Sequence, residues 1–169
     1  MAAGSSELLQ AFGLDGFSDE SAYGEGHINR SFLIYLEGRP EYIAQRINDS
    51  VFHDIPALMR NIETVTEHLR KRCCDSRRSL SLLHAADGKP YAVIGGEYFR
   101  VYGFIEDSMC LQRPGSLADF RQSGIAFGQF SESLADLEVS ELAEVIPDFH
   151  NTPKRYRSFC RSVSEDRLG

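Results

Sequence analysis

The stretch AYGEGHINRSFLIYL, residues 22–36, decides how the rest of the chain is interpreted. Gly24 and Gly26 stand one residue apart, directly before an apolar run rich in strand-forming residues. One interpretation is an ordinary turn between two strands, since glycine tolerates backbone conformations that other residues avoid. The other is a loop over a phosphate group, because backbone N–H groups without a Cβ can approach phosphate oxygens closely. The sequence around this stretch is needed to distinguish an ordinary turn from a phosphate-binding loop.

The residues after this stretch predict antiparallel strands and one amphipathic helix. Residues 31–36 and 41–47 have strand composition and flank Gly38 and Pro40, so we expect a hairpin. Residues 54–72 repeat apolar side chains at helical spacing, with Asp54 as a cap and Pro56 in the first turn. Three further strands are expected at 79–85, 91–94 and 98–105, and one more is possible before Gly24.

Residues 108–169 have a different character, and we expect them to be helical. A helix is predicted from Ser116 to about Leu137, a short one over 138–145, and a third from Pro153 onward. The third helix carries an apolar face with little remaining chain to pack against. We therefore expect two parts, residues 1–107 and 108–169, with an α+β fold and an incomplete second part.

Composition and charge exclude several classes of partner. The 169 residues are 42% apolar and 25% charged, with a net charge of -7, so neither nucleic acid nor an anionic membrane is expected as a partner. No apolar run approaches the roughly 20 residues of a membrane span. Four cysteines without a CxxC pattern favour a reduced, cytoplasmic protein, and no ligand set completes a metal site at Cys73 and Cys74.

Arg46 is the candidate cation for a phosphate group. In a kinase-like arrangement a basic residue on the third strand binds phosphates and pairs with a helix glutamate. Arg46 fits this position, and Glu63, which projects nearer to the apolar stripe of the helix than Glu67, is its expected partner. The alternatives are a solvated edge cation and an exposed charge pattern on the helix.

Two further segments could contact a ligand. The end of the last strand, Phe104, Ile105 and Glu106, would offer backbone groups to an adenine edge, or it is simply an aromatic strand end. Residues 146–156 are dense in polar and aromatic side chains, and a polar-ligand site there would be lined by Asp148, His150, Thr152 and Lys154. The alternative is a capping arrangement before Pro153.

Five segments, in this order and spacing, give the chain a family resemblance over roughly residues 7–160. They are GEGHINRSFLI, YIAQRIN, PALMRNIETVTEHL, GEYFRVYGFIE and IPDFHNTPKRY. The chain resembles the N-terminal portion of N-acetylhexosamine kinases, within the aminoglycoside/choline phosphotransferase superfamily. The resemblance implies a protein-kinase-like N-lobe, an antiparallel sheet plus one helix, followed by the first helices of a helical C-lobe.

The resemblance also implies an activity and a set of site residues. It implies ATP- and Mg²⁺-dependent transfer of the γ-phosphate to a sugar hydroxyl, the anomeric one in that subfamily. The nucleotide would be held by Gly24, Gly26, Asn29, Arg46 and Glu63, with Phe104, Ile105 and Glu106 at the adenine. The sugar would lie near His27, Asp148, His150 and Thr152.

The family's catalytic motif is absent from these residues. The family writes its catalytic loop as HxD followed by Asn, and none of the five histidines has aspartate two positions later. We therefore expect no catalytic residue and no Mg²⁺ ligand in this chain, both belonging to a missing C-terminal lobe that would be its packing partner. The alternatives are a non-catalytic protein, either a stand-alone nucleotide-binding lobe or a degenerate kinase remnant, and, less favoured, an α+β domain without a nucleotide role.

Overall fold

The computed structural model describes residues 3–16, 20–24, 26–73, 75–109, 111 and 113–166, and it has an α+β fold. Every strand pair within these residues is antiparallel and belongs to one six-stranded sheet. The elements are α1 (Ala3–Ala11), β1 (Glu20–Ala22), β2 (Arg30–Leu36), β3 (Arg39–Ile47), α2 (Ile55–Arg72), β4 (Leu82–Leu83), β5 (Ala92–Ile94), β6 (Glu97–Gly103), α3 (Leu117–Ser133) and α4 (Thr152–Glu165).

The predicted hairpin is formed by β2 and β3, with a turn shorter than the sequence suggested. Glu37 and Gly38 have φ angles of 49° and 79°, and the strands pair on either side of them. Two residues with positive φ match the right-handed twist of the flanking strands, which permits this tight connection. Pro40 lies within β3 opposite Tyr35, beside a bulge that interrupts the regular ladder.

The sheet order is β1-β2-β3-β6-β4, with β5 also paired to β6. Since β3 occupies one edge of β6, both β4 and β5 lie along the other edge, in one interrupted line. Residues 84–91 leave this edge between them, and the Ala86 N–H donates to the Ala11 carbonyl of α1 at 2.9 Å. The three predicted strands are thus confirmed, although the first keeps only Leu82 and Leu83.

Each face of the sheet is covered by a different helix. Ala44 lies in one core with Leu8 of α1 and with Phe12, which directly follows α1. Ile47 lies in the other core with Ile55 and Met59 of α2. Because side chains alternate along a strand, Arg46 shares the α1 face with Ala44, whereas Gln45 shares the α2 face with Ile47.

Helix α2 begins as the sequence predicts. The Asp54 Oδ1 accepts the Ala57 N–H at 2.8 Å, and Pro56 lies in the first turn, where its missing N–H costs nothing. Buried Thr66 donates its hydroxyl hydrogen to the Ile62 carbonyl at 2.7 Å. A polar group on the buried side of α2 is therefore satisfied within the helix itself.

The helices of the C-terminal part were predicted with one error. Ser116 caps α3 and Asn151 caps α4, as such residues do before helices. The helix predicted over 138–145 is wrong, since only one 3₁₀ turn, Val139–Glu141, forms there. The backbone of Ala143 pairs instead with the side chain of Asn61, donating at 2.9 Å and accepting at 2.8 Å.

Several polar links attach this C-terminal part to α2 and the residues after it, among them an ion pair of Arg72 with Asp136. Besides Asn61, His68 approaches Asp136 at 3.1 Å and Arg78 donates to Gln129 at 2.8 Å. Neither α3 nor α4 has a buried residue. Their apolar side chains remain exposed, by as much as 89% at Leu117 and 72% at Phe127 in α3, and 66% at Tyr156 in α4.

Candidate functional site

The glycine loop joins β1 to β2 at the tip of the sheet. Gly24 has a φ of 76°, a conformation that glycine adopts without strain. A Cβ added to Gly26 would meet the Asn29 carbonyl oxygen at 3.2 Å, so the loop is tight there. Glu25, between the two glycines, lies outside the described residues. The Asn29 Oδ1 accepts the Asn48 N–H at 3.0 Å and thereby ties the loop to the end of β3.

A cavity of about 280 Å³ opens between this loop and the end of β3. Two arginines, Arg30 and Arg46, line it, and none of the described lining residues is acidic. Such a lining suits an anion. The described lining residues are Gly26, His27, Ile28, Asn29, Arg30, Arg46, Ile47 and Asn48.

The expected ion pair between Arg46 and Glu63 is wrong. Arg46 pairs with Glu97 across the strands at 2.8 Å, while the Glu63 carboxylate contacts the His84 Nε2 at 2.7 Å. The reason is the face of the sheet, since Arg46 lies on the α1 side and Glu63 belongs to α2 on the opposite side. Glu67 is on α2 as well, so it does not replace Glu63 as the partner.

A second polar group, which the sequence did not indicate, lies on the α2 face. Ser31, Gln45 and Arg100 stand side by side on β2, β3 and β6. The Gln45 Nε2 donates to the Ser31 hydroxyl at 2.9 Å, and the Arg100 Nε donates to the Gln45 Oε1 at 3.0 Å. The sequence signal that could have indicated this group is Arg100 itself. It is a cation within β6, on the same face as Tyr98 and Tyr102.

The environment of Arg100 is poor in compensating charge. Burial lowers the pKa of its guanidinium, which means that the charged form is held there at a cost. Burial also raises the pKa of the neighbouring Tyr102. Among the described residues no carboxylate forms an ion pair with Arg100, in contrast to Arg46 and Arg72.

In the segment expected at the adenine, residues 104–106, some backbone groups already have hydrogen-bond partners within the protein. The Phe104 N–H donates to the Glu41 carbonyl at 2.8 Å, and the Ile105 carbonyl accepts the Ser108 hydroxyl at 2.6 Å. The Phe104 ring meets Tyr23 edge-on, with centroids 6.4 Å apart. A cavity of about 330 Å³ runs past residues 103–107, including Ile105 and Glu106.

The residues expected near the sugar form a helix-capping arrangement. Asp148, at a φ of 61°, accepts from Lys154 and from the Asn151 amide, and these bonds lower the pKa of its carboxyl. Thr152 is the first residue of α4, and the His150 ring packs edge-on against Phe149. None of these lines the cavity under the glycine loop, whereas His27 does.

No family model matches the chain. In the described part of the chain, no group of three or more histidine, cysteine or acidic residues is arranged to hold a metal ion. None of the described helices has the length and apolarity needed to cross a membrane. Cys73 and Cys160 are free thiols, while Cys74 and Cys110 lie outside the described residues.

Proposed function

We propose that this chain is the nucleotide-binding lobe of an ATP-dependent phosphotransferase with a small sugar as acceptor. The observation that carries the proposal is the glycine loop between β1 and β2, which borders a cavity without a described acidic lining residue and is tied through Asn29 to the end of β3. Backbone N–H groups and arginine side chains are the groups with which proteins bind phosphate oxygens.

The order of the elements supports the same function. A glycine-containing hairpin is followed by β3 with a cation, by the single helix α2, and by strands that end where the helical part begins. Protein kinases use these parts in this order, with the loop over the phosphates and the cation on the third strand. The pairing of that cation with a helix glutamate is the part of the pattern that differs here.

Each portion of the ligands occupies its own region of the lobe. The triphosphate lies beneath residues 24–29, and the base lies toward Tyr23 and Phe104, whose rings offer an apolar edge. The sugar, an N-acetylhexosamine as the resemblance implies, lies near His27. Mg²⁺ ligands and the catalytic base come from the helical lobe that we propose as the packing partner of α3 and α4. The free thiols Cys73 and Cys160 fit the reducing cytosol.

Titration calorimetry with ATP tests the nucleotide site. We expect saturable binding with one ATP per chain, weakened by Gly24→Ala because a Cβ disfavours the left-handed backbone of the loop. Gly38→Ala is the matched control, since its φ of 79° carries the same strain in a turn away from the cavity. Absence of ATP binding, or equal weakening by both variants, would contradict the proposal.

A second test concerns turnover. Because phosphoryl transfer needs a catalytic base and metal ligands, and the chain has no HxD motif, we expect no sugar-dependent ADP release by these 169 residues. A coupled assay with N-acetylglucosamine and N-acetylgalactosamine measures this. Release above a blank without protein would show that the catalytic groups are present after all.

A further inference from the structure

A continuous row of polar side chains leads from the glycine loop across the α2 face of the sheet. The Asn29 Nδ2 lies 3.5 Å from the Gln45 Oε1, and the same oxygen accepts from the Nε and Nη2 of Arg100. Asn29 also lines the cavity under the loop. Arg100 is thus connected to the loop through a single side chain, Gln45.

The guanidinium of Arg100 has capacity for a further partner. An arginine offers five N–H donors in a planar fork. Its Nε and Nη2 are both directed at the Gln45 Oε1, and its Nη1 has no hydrogen-bond partner among the described residues. Gln45 is a neutral acceptor, so within that same set the positive charge has no counterion.

The positions on either side of this row carry aliphatic and aromatic side chains without a formal charge. Ile43 and Tyr102 form the neighbouring cross-strand pair toward the end of β6, and Ile47 and Tyr98 form the pair that packs near α2. A charge with apolar neighbours attracts an anion more strongly than a solvated surface charge does. The exposed ion pair of Arg46 with Glu97 is neutralised and faces the opposite side of the sheet.

We propose that Arg100, oriented by Gln45, is the residue that binds the phosphate groups of the nucleotide, in place of Arg46. This inference rests on the proposed function and adds the identity of the phosphate-binding cation. The planar fork suits two phosphate oxygens at once, and Gln45 fixes its orientation before the ligand arrives. The base then lies beside Tyr102 and Phe104, in the apolar part of the same face.

Calorimetry with ATP and with sodium tripolyphosphate on matched arginine variants tests this assignment. We expect Arg100→Met to weaken the binding of both ligands about tenfold or more, because a charge-assisted hydrogen bond is lost. Arg39→Met, which removes an exposed arginine at the other end of β3, is the control and should change either affinity about twofold or less. Arg46→Met tests the competing assignment and should weaken binding less than Arg100→Met, because Arg46 already pairs with Glu97. Arg100→Lys keeps the cation and should retain part of the affinity.

The outcomes separate the two proposals. If the unmodified chain binds neither ligand, the proposed function and this inference both fail. If it binds ATP and Arg46→Met abolishes that binding while Arg100→Met does not, this inference alone is overturned. If Arg100 had only a structural role, Arg100→Met would lower the thermal unfolding midpoint of the chain without ligand. We expect instead that this midpoint is unchanged and that only its rise on adding ligand disappears.

Chemical modification of the unmutated chain gives an independent result if Arg100→Met does not fold. Phenylglyoxal modifies arginine side chains, and mass spectrometry locates the modified sites. We expect tripolyphosphate to protect Arg100 and to leave the modification of exposed Arg39 unchanged. Equal modification of Arg100 with and without saturating tripolyphosphate would overturn the assignment.

Discussion

At the scale of single residues, Met59 shows how α2 is held to the sheet. Its side chain is 0% exposed and packs with Ile47 and Ile55. We expect Met59→Ala to lower the free energy of unfolding by about 2–5 kcal/mol, because the removed atoms leave a cavity. Urea denaturation measures this.

Met109 provides the control for that prediction, because its side chain is 83% exposed. Met109→Ala should change the free energy of unfolding by about 0.5 kcal/mol or less. A similar loss in both variants would mean that α2 does not pack as described.

Asp136 links α2 to the end of α3 and makes this junction sensitive to acid. Burial alone would raise its pKa, but its own backbone N–H, Arg72 and His68 lower the pKa below the ordinary value of 3.8. A lowered pKa in the folded state means that the contribution to stability is present above about pH 3.8 and is lost as the pH falls through the folded value.

We expect Arg72→Gln to raise the pKa of Asp136 toward 3.8, because the guanidinium that favours the carboxylate is removed. Carboxyl-carbon NMR titration measures this value directly. Arg70→Gln is the control, because Arg70 is an exposed residue in the last turn of α2, as Arg72 is. It should leave the titration of Asp136 unchanged. Equal shifts in both variants would indicate a general charge effect.

The residue scale also shows where sequence reasoning stops. The position of Arg46 in β3 could be predicted, and so could its alternation with Gln45. The helix that covers each face could not, because α1 and α2 both carry apolar stripes and either could pack on either side. The Arg46–Glu63 pair therefore failed, and Arg100 was missed for the same reason.

At the scale of elements, α2 and α4 begin with the same kind of cap but differ in packing. Asp54 and Asn151 each accept a backbone N–H from the first turn. Helix α2 is buried along one side, whereas α4 has no buried residue. Loss of a cap should therefore have different consequences in the two helices.

We expect Asp54→Ala to lower the free energy of unfolding by about 1 kcal/mol, since α2 belongs to the cooperative core. Asn151→Ala should leave that free energy unchanged and reduce only the amide protection of residues in α4, which can open locally. Chemical denaturation and hydrogen exchange distinguish the two effects. A global loss from Asn151→Ala would show that α4 is coupled to the core.

Elements with local signals were the predictable ones. Asp54 with Pro56 marked the start of α2, and the Ser116 cap marked α3. The interrupted line of β4 and β5 had no such signal, because the departure of residues 84–91 depends on the contact of Ala86 with α1. The failed helix over 138–145 likewise depends on Asn61, which is distant in sequence.

At the scale of the whole molecule, the exposed apolar side chains of α3 stand out. Phe120 and Phe127 are 69% and 72% exposed. These two residues are seven positions apart and so share one face of α3, and exposed apolar side chains on one face promote association. We expect the chain to self-associate with rising concentration, and the double variant Phe120→Ser, Phe127→Ser to reduce this. Sedimentation velocity measures the change.

Val93, which is 56% exposed on β5, provides the control for that experiment. Val93→Ser should leave the association unchanged because it lies outside the α3 surface. A monomeric parent chain across the concentration range would show that the α3 surface is not adhesive, and it would favour a lobe that functions alone.

The central place of β6 has a consequence for synthesis on the ribosome. This strand pairs with β3 on one edge and with β4 and β5 on the other. Three strands that precede it in the chain therefore lack their partner until residues 97–103 have been synthesised. The β2–β3 hairpin can form as soon as it emerges, since its pairing is local. Until β6 is synthesised, one edge of β3 in the nascent chain is unpaired and can bind other extended chains. We expect the need for chaperones to be greatest during that interval.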